Sequence, residues 1–238
     1  MVTERAGVKG AFDLLICDCD GVLIDSEIIA DRVLYNLVGD IFPGREVASV
    51  LANSFGRQTR DILQRLATHL GEPLPANFFD QLRQALKQAL NQEAKPIAGV
   101  REALAQIDLP IAVASNSNEA WVRISIERAG IDDLIGDRVF TAEKVARPKP
   151  APDVYLLAAR TLHVAPARCL VIEDSESGVT AALAAGMSVI GFVGASHIPS
   201  DHADRLTALG ARLVLGHMDL LPAAVASLRF TQADKLLG

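Results

Sequence analysis

The chain has three cysteines among its 238 residues. Cys17, Cys19 and Cys169 are an odd set, and two of them sit inside one apparent strand, so a disulfide framework is excluded and packing is the expected role of all three. With no signal peptide ahead of them, a reducing cytoplasm is the expected setting. Basic tracts are missing and the formal charge is −6. That balance argues against a nucleic-acid surface and leaves small anionic ligands open, because their sites need only local positive charge. The longest weakly polar stretch, Ala181 to Ala195, is too short and too rich in glycine to span a membrane. Internal repeats and low-complexity tracts are absent too. No long exposed apolar stripe is identifiable, which leaves the oligomeric state open.

What is present is the composition of an ordinary globule, 50% hydrophobic and 22% charged, long enough for one or two domains with a sizeable core. Short apolar runs recur at FDLLIC (Phe12 to Cys17), IAVAS (Ile111 to Ser115), CLVIE (Cys169 to Glu173), SVIGFV (Ser188 to Val193) and ARLVLG (Ala211 to Gly216). Each is followed by loop or helix, the alternation of a parallel α/β sheet buried on both faces. Such sheets bind ligands at the carboxyl ends of their strands. Asp18 and Asp20, Ser115 and Asn116, and Glu173 and Asp174 all fall there. From Ser26 to about Lys95 helical spacing takes over, as in Ile62, Leu63, Leu66 and Leu70, or Phe78, Leu82, Ala85, Leu86, Ala89 and Leu90. The expected architecture is a Rossmann-like parallel-sheet core, residues 1–25 and 97–238, with an inserted α-helical cap domain, residues 26–96. Gly21 and the KPIAG stretch read as its hinges.

The stretch DLLICDCDGVLIDSE (Asp13 to Glu27) ends a buried run with two aspartates one residue apart. In an extended chain both point the same way, and at an effective dielectric of about 20 two carboxylates roughly 5 Å apart repel by about 3 kcal/mol. Such a pair either sits in water or shares a cation. An EF-hand loop is excluded, because Val22, Leu23 and Ile29 stand where that loop needs an oxygen ligand, a glycine and a carboxylate.

Four elements in order, DCDGVLIDSE, ASNS (Ala114 to Ser117), RPKPAPDVY (Arg147 to Tyr155) and EDSESGVTAALAAGM (Glu173 to Met187), resemble the motifs of the haloacid-dehalogenase-like hydrolase superfamily. With a helical insertion after the first motif, the chain is most similar to the branch of phosphoglycolate phosphatases, sugar-phosphate phosphatases and beta-phosphoglucomutase. The resemblance implies Mg²⁺ held by Asp18, by the main-chain carbonyl of Asp20 and by Asp174, with Glu173 a direct or water-mediated ligand. It implies Asp18 as nucleophile, Asp20 as general acid and then base, and Lys149 as the cation that offsets phosphoryl charge. Ser115 and Asn116 are expected to face the phosphoryl oxygens, with Asn116 and Glu119 capping the next helix. Ser117 and Asn118 line the site or start that helix, and Ser175 and Ser177 cap the helix after Asp174. Arg147 is expected at the surface. In the insertion, Arg57, Gln58 and Arg60 are candidates for substrate recognition.

The expected partner is therefore a small phosphorylated substrate. Retention of Asp20 disfavours dehalogenation. Ala30, twelve residues after Asp18, replaces a histidine that helps control the general acid in the mutases, and so favours hydrolysis over a mutase. A non-catalytic phosphometabolite-binding module would most plausibly have lost one of Asp18, Asp20, Lys149 and Asp174.

Overall fold

The computed structural model describes residues 11–51, 59–196 and 198–231, with residues 59–61, 230 and 231 described by their backbone alone. The chain opens with β1 (Leu14–Cys17) and β2 (Ile24–Asp25). Four helices follow, α1 (Glu27–Ile41), α2 (Ala48–Leu51), α3 (Thr59–Leu70) and α4 (Phe78–Glu93), and then β3 (Lys95–Pro96). The remainder alternates: α5 (Val100–Ala105), β4 (Ile111–Ser115), α6 (Glu119–Ala129), α7 (Asp132–Ile135), β5 (Val139–Thr141) and α8 (Asp153–Thr161). It ends with β6 (Cys169–Glu173), α9 (Glu176–Ala184), β7 (Ser188–Phe192), α10 (His202–Leu209), β8 (Leu213–Leu215) and α11 (Leu221–Thr231).

Six strands form one parallel sheet in the order β5-β4-β1-β6-β7-β8. Alternation along each strand sends side chains to opposite faces. Leu15 and Cys17 join Val113, Leu170 and Ile172 in one buried cluster, while Leu14 and Ile16 join Ala112, Ala114 and Val171 in the other. Both faces are dry, which is why these strands read as unbroken apolar runs. Cys17, Cys19 and Cys169 are buried free thiols in these two layers. Burial pushes all three well above the usual thiol range, so they behave as small apolar side chains.

All five apolar runs are strands within two residues of the expected ends, FDLLIC shortening to the four residues of β1 and ARLVLG to the three of β8. Two features were not anticipated. The edge strand β5 is only three residues long and gives no periodic signal. At the exits of the insertion, where hinges were expected, β2 and β3 form an antiparallel ribbon that pairs Ile24 with Pro96 and Asp25 with Lys95. Between them α1 to α4 enclose their own core, in which Phe78, Leu66 and Val38 are fully buried. A smaller cluster of Ile24, Ile29, Ala94 and Trp121 joins these helices to α6 of the sheet layer. Among the described residues no helix is long and apolar enough to cross a membrane.

The strand order positions the site. After β1 the chain builds β4 and β5 on one side of it and then crosses to place β6 on the other. The crevice beyond the carboxyl ends of β4, β1 and β6 is the switch point where sheets of this kind bind ligands.

Candidate active site

Asp18 follows β1 directly, and its amide donates to the Ile172 carbonyl at 3.0 Å, which fixes it in register with β6. Its carboxylate is buried, with Oδ1 2.6 Å from Lys149 Nζ. The Lys149 ammonium also donates to the Ala114 carbonyl at 2.9 Å and to Glu173 Oε1 at 2.6 Å, so each of its three protons has an acceptor. Its ammonium lies 4.8 Å from the centroid of the Tyr155 ring, and the Tyr155 hydroxyl donates to Glu173 Oε1 at 2.7 Å. The other oxygen of Glu173 accepts from the amide and hydroxyl of Ser175, at 3.1 and 3.0 Å.

Two glycines make room for this cluster. Gly21 has φ +75°, and a Cβ there would lie 1.8 Å from Asp174 Oδ2, so the turn after Asp20 rests on the Asp174 carboxylate as only glycine allows. At Gly178, in the first turn of α9, a Cβ would stand 1.7 Å from Glu173 Oε1.

Asp18, Glu173 and Asp174 are all buried, and one carboxylate oxygen from each lies within 4.8 Å of the others. The Lys149 ammonium pairs with two of these three carboxylates, Asp18 and Glu173. Burial, followed by the charge of Glu173, pushes Asp18 up to about 8 despite Lys149. The same two causes, in that order, raise Asp174 well above the usual carboxylate range. Burial pulls the Lys149 ammonium down, but the charges of Asp18 and Glu173 outweigh it and hold the lysine protonated. A cluster of hard oxygens that resists ionising on its own fits a divalent cation.

Asp20 has partners of its own, which answers the repulsion expected of the pair. Its Oδ1 accepts from the Ser26 hydroxyl at 2.6 Å and from Trp121 Nε1 at 2.9 Å, and its Oδ2 accepts from the Ser117 hydroxyl at 2.6 Å. On Asp18, the charge of Asp20 ranks behind burial, Glu173 and Lys149. Glu27, at the start of α1, is pushed up to about 7 by burial and then by the charges of Asp20 and Asp31.

Ser115 ends β4 and is buried, its Oγ accepting from the Ser117 amide at 3.0 Å. The cap of the next helix falls two residues later than expected. Asn118, not Asn116, caps α6, accepting from the Trp121 amide at 2.9 Å. Asn116 instead clasps the main chain of Lys149, accepting from its amide at 2.9 Å and donating to its carbonyl at 3.1 Å. Two stretches 33 residues apart are thereby held in register, which local spacing could not reveal. Ser175 caps α9 as expected, accepting from the Gly178 amide at 3.0 Å, whereas Ser177 touches only the Ser175 hydroxyl, at 3.3 Å. Arg147 is exposed and paired with Asp153 at 2.8 Å. Arg57, Gln58 and the side chain of Arg60 lie outside the described residues. Sequence reasoning missed Trp121 and Tyr155. The signal available for Trp121 was that the chain's one tryptophan follows ASNS by a single helical turn.

A parallel sheet with a switch-point cluster of carboxylates, one buried lysine and a helical insertion after the first strand defines a class of hydrolase. Residues 12–186 match the family described as haloacid dehalogenase-like hydrolase, and the chain belongs to that family. Hexitol phosphatase A of Escherichia coli is 32% identical over 73% of this chain and 79% of its own length. A haloacid dehalogenase-like protein of Agrobacterium tumefaciens superposes with a TM-score of 0.82 at 37% identity, covering 91% of this chain and 99% of that one. A hydrolase of the family from Deinococcus radiodurans, solved with bound phosphate and sodium, superposes with a TM-score of 0.76 at 32% identity, over 92% and 97% of the two chains.

Proposed function

We propose that this protein is a Mg²⁺-dependent phosphatase that hydrolyses a small phosphorylated metabolite, a sugar or sugar-alcohol phosphate, through an aspartyl phosphate on Asp18. The observation that carries the reading is the buried Asp18 carboxylate, fixed at 2.6 Å by Lys149 beside Asp174 at the switch point of the sheet. The phosphatase relative and the phosphate-bound structural neighbour support the choice of substrate class. Asp18, the Asp20 carbonyl and Asp174 would hold Mg²⁺, whose positive charge would let a carboxylate approach a phosphoryl group.

The chain's own residues do the rest. An oxygen of Asp18 attacks phosphorus, the bond from phosphorus to the leaving oxygen breaks, and Asp20 gives that oxygen its proton. Asp20, now ionised, takes a proton from water as the water attacks the aspartyl phosphate. The bond between phosphorus and Asp18 breaks, phosphate departs, and Asp20 is protonated for the next turnover. Lys149 offsets the charge on the transferring group. Ser115 Oγ, already accepting from the Ser117 amide, keeps its own proton to donate to a phosphoryl oxygen. With both its oxygens engaged by four donors, Glu173 acts by holding Lys149 and the start of α9 rather than by ligating directly. Residues 26–96 form the cap that excludes water and selects the substrate.

The test is phosphate release from a panel of sugar, sugar-alcohol and phosphoglycolate-like monoesters, with Mg²⁺ or with chelator, using Asp18→Asn as the blank. The expected result is metal-dependent release that vanishes in a folded Asp18→Asn protein. Release that persists in that variant would overturn the mechanism. Phosphorylation of Asp18 without release of phosphate would favour a mutase.

A further inference from the structure

Trp121 is the chain's one tryptophan, and its ring is buried in the cluster that joins α1 and the end of α4 to α6. Its main chain is fixed at both ends of the first turn of α6, where its amide donates to Asn118 Oδ1 at 2.9 Å and its carbonyl accepts from the Ser125 hydroxyl at 3.0 Å. From this anchored position the indole Nε1–H reaches Asp20 Oδ1 at 2.9 Å, across 101 residues of sequence. A ring held so firmly costs almost no further rotamer entropy to present its one polar atom.

The three donors to Asp20 differ in kind. Ser26 and Ser117 carry hydroxyls, which can turn from donating to accepting. An indole N–H can only donate. Oδ1, bound by Trp121, is therefore kept as an acceptor. Among the described residues Oδ2 accepts from the Ser117 hydroxyl, which can turn round when that oxygen carries a proton.

We infer that Trp121 is a positioning residue for proton transfer: it fixes the orientation of the Asp20 carboxyl and reserves Oδ1, leaving Oδ2 as the oxygen that exchanges its proton with the leaving group and with water. The inference rests on Asp20 being the general acid and base proposed above. It adds a residue that acts through Asp20.

The distinguishing readout is dependence on the leaving group. An alkyl ester needs its departing oxygen protonated, whereas p-nitrophenolate leaves without help, so a defect confined to the acid slows the first far more than the second. Because the chain has one tryptophan, biosynthetic replacement by β-(3-benzothienyl)alanine removes this N–H and keeps the bicyclic ring and its packing. Trp121→Phe serves as a second variant, and Asp20→Asn as the reference. The first turnover, in which the leaving group departs, is read by rapid quench at saturating sorbitol 6-phosphate and by the p-nitrophenolate burst at saturating p-nitrophenyl phosphate, so that the later attack of water, which needs Asp20 on either ester, does not enter. Losing one hydrogen bond to a charged acceptor is expected to lower the first-turnover rate for the alkyl ester about tenfold, with the aryl ester affected less than about twofold in that step. Equal losses on both esters, or none on either, in the benzothienyl protein would overturn the inference even though Asp20→Asn shows the selective loss. If Asp20→Asn itself showed no selectivity, the acid-base role of Asp20 would be at fault, and the inference would fall with it.

Discussion

Replacing Lys149 by methionine tests the electrostatics of the site more directly than any other single change. Methionine fills most of the lysine stem's volume, so the steric disturbance is small. The lost ammonium stands 2.6 Å from both Asp18 and Glu173, all three groups being buried. Removing one member of a buried ion pair typically costs about 3–5 kcal/mol, because the remaining charge is left uncompensated. The loss should depend on pH. In the metal-free wild type Asp18 titrates at about 8 when folded, against about 3.9 unfolded. A folded pKa raised above the unfolded one means that the native state holds a proton the unfolded chain has released. The stability this confers is complete below the unfolded value and declines as pH rises toward the folded one. Without the ammonium Asp18 depends still more on being neutral, so the variant suffers most where the solvent removes its proton. Urea unfolding in EDTA, followed by circular dichroism, should give a loss of about 3–5 kcal/mol at pH 8 and a smaller loss at pH 5, where a protonated Asp18 no longer carries the charge that Lys149 offsets. A loss below about 1 kcal/mol at pH 8, or one independent of pH, would refute the reasoning.

Three further outcomes are expected. Gly178→Ala would place a methyl 1.7 Å from Glu173 Oε1; the carboxylate must swing away from Lys149, Tyr155 and Ser175, and turnover should fall on the order of 100-fold or more in a steady-state assay. Asn118→Ala removes the cap of α6 and should cost about 1 kcal/mol in a thermal melt, with little change in KM. Because Asp18 titrates at about 8 without metal, a proton competes with the cation below that pH. Mg²⁺ affinity should therefore rise with pH and level off above about 8, with proton release visible by calorimetry in buffers of different ionisation enthalpy.

The sequence by itself determined the sheet and the identity of the charged centre. Strands buried on both faces must be apolar throughout, so IAVAS and CLVIE were readable, and the polar residues that end them could only stand at the ligand-binding edge. Asp18 and Asp174 announced themselves because ionisable groups directly after buried strands need a reason to be there, and Lys149 because a proline on each side of it fixes where its side chain points. Segments too short to carry a period did not: β5 and the β2–β3 ribbon exist only through the neighbours that pair with them.

The tertiary structure alone decided which partner each polar atom meets. Asn116 and Asn118 are equally good caps by composition, and the nearby Lys149 main chain diverts the first, leaving the second to cap α6. Glu173 ends β6 as one more carboxylate in the sequence, and only the fold shows that Lys149, Tyr155 and Ser175 donate to its two oxygens. Trp121 reads as one more buried ring until the fold carries its N–H to Asp20. Burial pattern is a one-dimensional property and survives in the sequence. Hydrogen-bond partnership across tens of residues is fixed by geometry, and geometry exists only once the chain has folded.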